Sequence, residues 1–164
     1  QYVNEIIKCS EIIDKIKMQF SDTNFLKIKT NFKKHKSKYE ENGIEAHIEP
    51  INHLIGEVIE NAKKHGGYSV NKDDFEIIIN FELKNNNLIL DIKNNGKPMD
   101  GSMNKEMFVK RGSTTNKLDG NGIGGSMIND IINNFENCSW DIINKKDKNY
   151  PVQFIFKFGL IQLN

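Results

Sequence analysis

The stretch Glu57–Gly66, with the sequence EVIENAKKHG, decides the interpretation of this chain because it combines a helix with two faces and a glycine stop. The apolar residues of this region recur at helical spacing at Ile51, Leu54, Ile55, Val58, Ile59 and Ala62. Four polar residues fall on a second stripe along one flank, namely Glu57, Asn61, Lys64 and His65. We therefore predict a helix that begins near Pro50 and ends at Gly66, with its polar flank at the border of a cleft.

The polar flank has the chemistry that a bound nucleotide requires. The amide oxygen of Asn61 is a neutral ligand for Mg²⁺, an ion that takes most of its octahedral shell from water and phosphates. Lys64 can neutralise a phosphate, Glu57 can orient or deprotonate a water, and His65 can cover a ring or a ribose. An ordinary amphipathic helix with a polar shoulder explains the pattern equally well, so this stretch alone leaves both interpretations open.

A predicted strand downstream ends in a polar residue. Leu88, Leu90, Ile92 and Asn94 share one strand parity, so Asn94 places an amide at the edge of the core. Such a group needs a partner, because an unpaired buried amide costs ~1–3 kcal/mol, and a purine offers complementary donor and acceptor edges. The following Asn95-Gly96 lets the backbone approach a ligand closely, although alone it indicates only a turn.

A glycine-rich loop precedes a predicted amphipathic helix that starts at about Ser126. Its two parts are Arg111–Thr115, with the sequence RGSTT, and Asp119–Gly125, with the sequence DGNGIGG. Glycines at this spacing expose consecutive backbone N–H groups, and the helix N-terminus adds partial positive charge, so we predict that the loop forms an anion cradle for phosphates. Glycine-rich loops also occur without ligands, so the loop alone leaves both interpretations open. Arg111 and the hydroxyls before Asp119 can close over the same phosphates. No Gly-Lys-Ser/Thr follows, and no βαβ pattern supports a dinucleotide fold.

The remaining pattern alternates helices with antiparallel hairpins. Apolar residues from Val3 to Phe20 predict an opening amphipathic helix, and residues 94–125 predict a long loop without sustained apolar period. Alternation predicts strands near 26–32, 44–48, 75–83, 88–92, 140–142 and 152–160, and a short helix covers 36–41. We predict an α+β fold, a two-layer α/β sandwich with one mixed sheet and its helices on one face.

Composition limits the classes of partner. The 164 residues fit a single domain (1–164), and a net charge of +1 gives no general attraction to nucleic acid or to anionic membranes. The two cysteines give neither a disulfide framework nor a metal spacing, and no apolar stretch reaches the ~20 residues that span a bilayer. We therefore predict a cytoplasmic domain without nucleic-acid or membrane contact, and Gln1 in place of Met indicates a segment of a longer protein.

Three segments in this order resemble the boxes of the ATP-binding (Bergerat) fold of the GHKL group, which includes gyrase, heat-shock chaperones, histidine kinases and mismatch-repair proteins. Glu57–Gly66 resembles the N box, Asn94–Met99 the first glycine box and Gly120–Gly125 the second. The resemblance extends to the opening helix and strand, to the segment before the lid and to the closing strand at 151–158. It thus covers nearly the whole chain and is strongest to the catalytic domains of sensor histidine kinases.

The resemblance implies ATP and Mg²⁺ as ligands and assigns roles by position. Asn61 would bind Mg²⁺, Lys64 would contact phosphate, His65 would lie against the nucleotide, and Asn94 would face the adenine amino group. The predicted nucleotide-binding residues are Asn61, Lys64, His65, Asn94, Gly96, Met99, Arg111, Gly112, Ser113, Thr114, Thr115, Gly120, Gly122, Ile123, Gly124 and Gly125, with Glu57 as the catalytic residue and Asn61 as the metal ligand.

The chain departs from the family pattern at three positions. The family usually has Asp at position 94 and Gly at position 98, whereas this chain has Asn94 and Pro98. Many kinases have Thr where this chain has Val152. We expect weaker nucleotide binding and lower adenine selectivity, because the neutral amide and the valine offer fewer contacts to the base.

The resemblance implies a histidine kinase catalytic domain of a two-component system, which donates the γ-phosphoryl group of ATP to a histidine. None of His35, His47, His53 and His65 has the setting of an acceptor, so the acceptor would lie on a separate dimerisation domain, with a response regulator downstream. Three alternatives remain open. They are a stand-alone ATPase switch with Glu57 as base, a serine kinase of the anti-sigma type, and a degenerate module that binds nucleotide without turnover.

Overall fold

The computed structural model describes residues 3–20, 24–67, 73–101, 103–114, 123–146 and 148–164, with the backbone alone described at 111–114 and 123–124. The strands are β1 (Glu5–Lys8), β2 (Leu26–Thr30), β3 (Asn42–Ala46), β4 (Ile77–Lys84), β5 (Asn87–Asn94), β6 (Cys138–Asn144), β7 (Val152–Gly159) and β8 (Ile161–Gln162). The helices are α1 (Cys9–Gln19), α2 (Lys36–Glu41), α3 (Ile48–His65), α4 (Lys105–Thr114) and α5 (Ile123–Asn133), and a short 3-10 turn spans Phe32–Lys34.

A five-stranded mixed sheet forms one layer of the molecule. Its strand order is β2-β4-β5-β7-β6, with β2 parallel to β4 and every other pair antiparallel. Leu88, Leu90, Ile92 and Asn94 of β5 are buried, while the alternate residues are partly exposed, because only one face of the sheet is covered by helices. The predicted α+β sandwich with a mixed sheet is therefore confirmed.

A second, three-stranded sheet was not predicted, and it corrects the predicted opening helix. Residues Glu5–Lys8 form strand β1, which pairs antiparallel with β3, and β3 also pairs with β8. Helix α1 starts only at Cys9, and Val3 and Ile6, which we placed on a buried helical face, are 84% and 54% exposed. The apolar spacing of such a short segment fits a helix or a strand equally well. The segment is a strand because it pairs with β3, about 40 residues away in the sequence.

Helix α3 carries the deciding stretch and has clear signals at both ends. The His47 side chain accepts a hydrogen bond from the Glu49 N–H at 3.2 Å, and Pro50 lies in the first turn. The Gly66 N–H donates to the Ala62 carbonyl at 2.9 Å and closes the last turn. Its predicted apolar stripe is buried throughout. No helix in the described part of the chain is long and apolar enough to cross a bilayer.

Helix α4 corrects the predicted long loop. Residues Lys105–Thr114 are helical, and they start after Asn104, whose side-chain Oδ1 accepts from the Met107 N–H at 2.9 Å. This is an N-cap interaction, and Asn is among the residues that favour it. The pattern Asn104-Lys-Glu-Met-Phe108 could have predicted the helix start, but its apolar face is short. We gave more weight to the neighbouring glycines.

The two cysteine thiols are far less acidic than a free cysteine. Burial raises the pKa of both the Cys9 and the Cys138 thiols to about 12. Both thiols are consequently protonated at neutral pH, and they behave as small apolar side chains.

The uncovered face of the sheet contains a carboxylate that destabilises the fold at neutral pH. Burial raises the pKa of Asp91, an effect that the hydrogen bond from Gln153 and the charge of Lys93 only partly offset. The Asp91 Oδ1 atom has no hydrogen-bond partner in the described part of the chain. Because the folded state holds the proton more tightly than the unfolded state, this group lowers stability as pH rises above its unfolded pKa.

We accordingly expect Asp91→Asn to raise the free energy of unfolding at pH 7 by about 1 kcal/mol, since it removes a poorly solvated charge. The gain should vanish at low pH, below the unfolded pKa of ~3.9, where both states carry a protonated carboxyl. Urea unfolding of both proteins at pH 7 and at low pH measures the difference. A gain that is equal at both values would show that charge is not the cause.

Candidate functional site

A narrow cavity lies where α3 meets the end of the five-stranded sheet. Its volume is about 30 Å³, which corresponds to about two water molecules. A cavity of this size could take no more than the edge of a ring, and the rest of a nucleotide would extend beyond it. The lining residues are Asn61, Ala62, His65, Gly66, Asn94, Lys97, Pro98, Met99 and Val152. The structure thus brings Asn61, His65, Asn94 and Met99, four predicted site residues, to one place.

Asn94 occupies the position that the strand parity predicted. It is 4% exposed, and in the described part of the chain it is the single buried polar or charged residue. Its Oδ1 accepts a hydrogen bond from the Gly96 N–H at 3.0 Å. An amide oxygen has two lone pairs, so the same atom can accept a second hydrogen bond from a ligand. Val152 lies beside Asn94 in the register of β5 and β7 and provides an apolar neighbour.

Gly96 is required for a close approach between the turn after β5 and the end of α3. A Cβ atom placed on Gly96 would lie 2.5 Å from the Gly66 carbonyl carbon and 2.6 Å from its oxygen. The Lys97 N–H donates to the same Gly66 carbonyl at 3.2 Å. Two glycines therefore allow the N-box helix and the first glycine box to meet at the cavity.

The turn after β5 is fastened to its surroundings by two more asparagines. The Asn95 side chain accepts from the Glu76 N–H at 2.7 Å and donates to the Asp74 carbonyl at 2.6 Å. The Asn144 side chain, at the end of β6, contacts the backbone of Met99 and Gly101. The cavity wall at 97–99 is thus held from both sides.

Glu57 and Lys64 do not line this cavity. Glu57 lies on the rim of a neighbouring cleft of about 390 Å³, whose floor includes Phe20, Phe25, Leu26 and Ile59. Its carboxylate is 3.4 Å from the His53 Nε2 atom. Lys64 is exposed on the last turn of α3. The roles of both residues therefore stay predictions. Glu57 would act at the edge of the site, and Lys64 would have to reach a phosphate from outside the cavity.

The glycine-rich loop is described only at its two ends. Arg111, Gly112, Ser113 and Thr114 form the last residues of α4, and Ile123 and Gly124 the first of α5, while Thr115, Gly120 and Gly122 lie outside the described residues. A Cβ atom on Gly125 would lie 2.5 Å from the Phe108 carbonyl oxygen. Gly125 therefore has a packing role between α4 and α5, and the phosphate role of the loop stays a prediction.

Five lining residues were not among the predicted site residues, namely Ala62, Gly66, Lys97, Pro98 and Val152, although Pro98 and Val152 were noted as departures from the family pattern. Asn144 was missed altogether. A signal for Asn144 existed in the sequence. Trp140, Ile142 and Asn144 share one parity, which is the same pattern of apolar residues ending in an asparagine that identified Asn94.

The arrangement has the chemistry of a nucleotide site. The cavity offers amides for the edge of a base, a histidine for a ring and an apolar wall at Val152 and Met99. Among the residues that the structure describes, no carboxylate lines the cavity, so a magnesium ion at Asn61 would take its other ligands from phosphates and water, as this ion prefers. The fold is that of the predicted α/β sandwich, and the cavity residues are of the types that the predicted ATP site requires.

The sequence comparison agrees with this class. Residues 46–158 match the family model described as histidine kinase-, DNA gyrase B- and HSP90-like ATPase. The chain belongs to this family. A comparison with curated protein sequences finds no match.

Solved structures of histidine kinases have the same fold. The catalytic domain of histidine kinase ThkA, in a nucleotide-free form, is 18% identical, with 96% of each chain covered and a TM-score of 0.68. The ATP-binding domain of PrrB from Mycobacterium tuberculosis is 10% identical, with 96% of this chain and 98% of that chain covered and a TM-score of 0.63. ThkA in complex with the response regulator TrrA is 18% identical, with 95% of this chain and 41% of that chain covered and a TM-score of 0.64.

Proposed function

We propose that this domain binds Mg-ATP and donates the γ-phosphoryl group to a histidine on a separate dimerisation domain, within a cytoplasmic two-component system. The observation that carries the proposal is the meeting of Asn61, His65 and Asn94 at one cavity. These residues come from two boxes separated by about 30 residues in the sequence. An ordinary amphipathic helix and an ordinary turn would give no reason for these polar side chains to meet at one cavity. The likeness to the ThkA and PrrB domains supports the kinase over other members of the family.

Different cavity residues contact the base and the phosphates of the ligand. Asn94 accepts from the amino group of the base, while Val152 and Met99 cover its apolar surface. Asn61 supplies an amide oxygen for Mg²⁺, which neutralises phosphate charge when it is bound. The chain itself performs no proton transfer in this step, because phosphoryl transfer depends mostly on positioning and on charge neutralisation.

The contacts of the histidines support an acceptor outside this chain. The His47 ring accepts the Glu49 N–H at the start of α3, and His53 is paired with Glu57. His65 lines the nucleotide cavity itself. The complex of ThkA with a response regulator supports a regulator of that class as the downstream partner.

One observation favours the stand-alone ATPase as a second candidate. Glu57 lies one helical turn before Asn61, and His53 is close enough to orient its carboxylate, at 3.4 Å. A carboxylate held in this way next to a bound nucleotide can act as the base for water attack.

The test follows the fate of the γ-phosphate. The purified chain is incubated with Mg²⁺ and γ-labelled ATP, alone and with a histidine-bearing dimerisation domain, and both free phosphate and labelled protein are measured. The proposal expects bound ATP, little free phosphate from the chain alone, and label on the added domain. Label that never reaches a histidine, although ATP is bound, would contradict the kinase.

Glu57→Gln separates the two candidates, because glutamine keeps the shape of the side chain and cannot take a proton. For the kinase we expect histidine labelling to fall no more than about 3-fold, since the base contributes little to a reaction that depends on positioning. For an ATPase, free-phosphate release should fall by about 100-fold or more. Glu60→Gln, on the exposed side of the same helix, is the matched control and should change neither rate.

A further inference from the structure

The wall of the cavity opposite α3 is a short non-helical segment with a stiff centre. Lys97, Pro98 and Met99 line the cavity, and the proline ring fixes its own φ and restricts the residue before it. At one end Gly96 is packed against the backbone of Gly66. At the other end Gly101 has a φ of +59°, a backbone conformation that favours glycine. Because its centre is stiff, the contacts at the two ends of this wall help to set its position.

Asn144 is the anchor at the second end. The Met99 N–H donates to Asn144 Oδ1 at 3.1 Å, and Asn144 Nδ2 donates to the Met99 carbonyl at 3.1 Å and to the Gly101 carbonyl at 3.4 Å. The side-chain amide thus satisfies both polar groups of Met99, as a neighbouring strand would. An asparagine is the residue that offers a donor and an acceptor at this short reach.

The register of the sheet places Asn144 beside the base site. Asn94 pairs with Val152, and Val152 pairs with Asn144, so the three residues form one row across β5, β7 and β6 on the helix-covered face. Asn94 and Val152 both line the cavity, and Asn144 stands behind Met99 at the end of the row. The side chain therefore acts on the cavity through Met99 and not by direct contact.

We propose that Asn144 is a positioning residue for the base of the nucleotide, which holds the Met99 wall against the Asn94–Val152 side of the cavity. The inference rests on the proposed nucleotide function and adds a residue that lies outside the three boxes. Without the amide, the wall loses both hydrogen bonds between Asn144 and the Met99 backbone. The base then no longer packs against a wall of fixed position. The phosphates would lie towards Asn61, so their binding should not depend on Asn144.

The experiment compares a ligand with a base and a ligand without one. Calorimetric titration with Mg-ATP and with Mg-tripolyphosphate is carried out on the unaltered chain, on Asn144→Leu and on Asn144→Asp. Leucine removes both hydrogen-bonding functions, while aspartate keeps the shape but turns the donor into an acceptor that faces two carbonyls. We expect both variants to bind ATP about 10-fold more weakly and to bind tripolyphosphate with less than about 2-fold change.

Asn87→Asp is the matched control, because the Asn87 amide also donates to a backbone carbonyl, that of Asn85 at 3.0 Å, at the opposite end of β5. It should leave both affinities unchanged. Equal losses for ATP and tripolyphosphate, or a lower melting temperature with unchanged ATP affinity, would overturn the positioning role and leave the proposed function in place. Failure of the unaltered chain to bind ATP would overturn both.

Discussion

Replacing Asn61 with alanine is expected to weaken Mg²⁺-dependent ATP binding by about 10- to 100-fold, which is the loss that an interaction of ~1.5–3 kcal/mol with a charged group produces. Asn61 is half-buried on the flank of α3 and lines the same cavity as His65 and Asn94. Alanine is the best helix former, so the helix itself should be preserved. Titration of ATP in the presence and absence of Mg²⁺ measures the effect.

The dependence on magnesium makes this test specific. In the presence of a chelator the unaltered chain and Asn61→Ala should bind ATP with nearly the same weak affinity, because the residue acts through the ion. Glu60→Ala, one residue earlier and on the exposed side of α3, is the control and should behave as the unaltered chain does. Unchanged binding by Asn61→Ala in the presence of Mg²⁺ would remove Asn61 from the site.

Gly96→Ala is expected to lower the free energy of unfolding by roughly 2–4 kcal/mol, which would reduce the melting temperature by about 5–15 °C. The added methyl group would lie 2.5–2.7 Å from three backbone atoms of Gly66. No side-chain rotation can relieve this contact, because the backbone fixes the position of a Cβ atom. To relieve the contact, the turn must move away from α3, which breaks the bond from the Lys97 N–H to the Gly66 carbonyl. The affinity for ATP should fall as well, because the turn forms one wall of the cavity.

Gly56→Ala gives the matched control on the same helix. A Cβ atom at Gly56 would have no heavy atom within 4 Å, so the substitution adds helix propensity without a clash. We expect it to raise the free energy of unfolding by about 0.5–1 kcal/mol. Urea unfolding monitored by circular dichroism measures both variants. If Gly96→Ala were as stable as the unaltered chain, the close contact between the two boxes would be wrong.

Much of the candidate site could be predicted because local pattern identified its residues. The helical period of α3 separated Asn61 and His65 from the apolar stripe, and the parity of β5 placed Asn94 at the edge of the core. Both arguments use a side-chain direction that the chain fixes within one element. Asn144 obeys the same rule on β6, but its relevance depends on the contact with Met99, about 45 residues away in the sequence.

The wrong predictions of the fold have a common physical cause. Residues Glu5–Lys8 and Lys105–Thr114 are short segments whose local signals are weak or ambiguous. The first became a strand because β3 was available as a partner, and the second became a helix packed closely on α5 at Gly125. In segments of this length, contacts with distant elements exceed the differences in local propensity.

The sequence by itself determined the strong elements and the identity of most polar residues at the cavity, because these follow from periods of 2 and 3.6 and from residue chemistry. The order of the three boxes carried the resemblance to the family, which the family-model match over residues 46–158 then showed. The tertiary structure alone decided which flank residues share a cavity. It placed Asn61 and His65 with Asn94, and it placed Glu57 beside His53 on another cleft. Residues on one flank of a helix point in directions only tens of degrees apart, so the helix alone does not separate them. The elements that pack against the flank determine which of its residues line the same cavity.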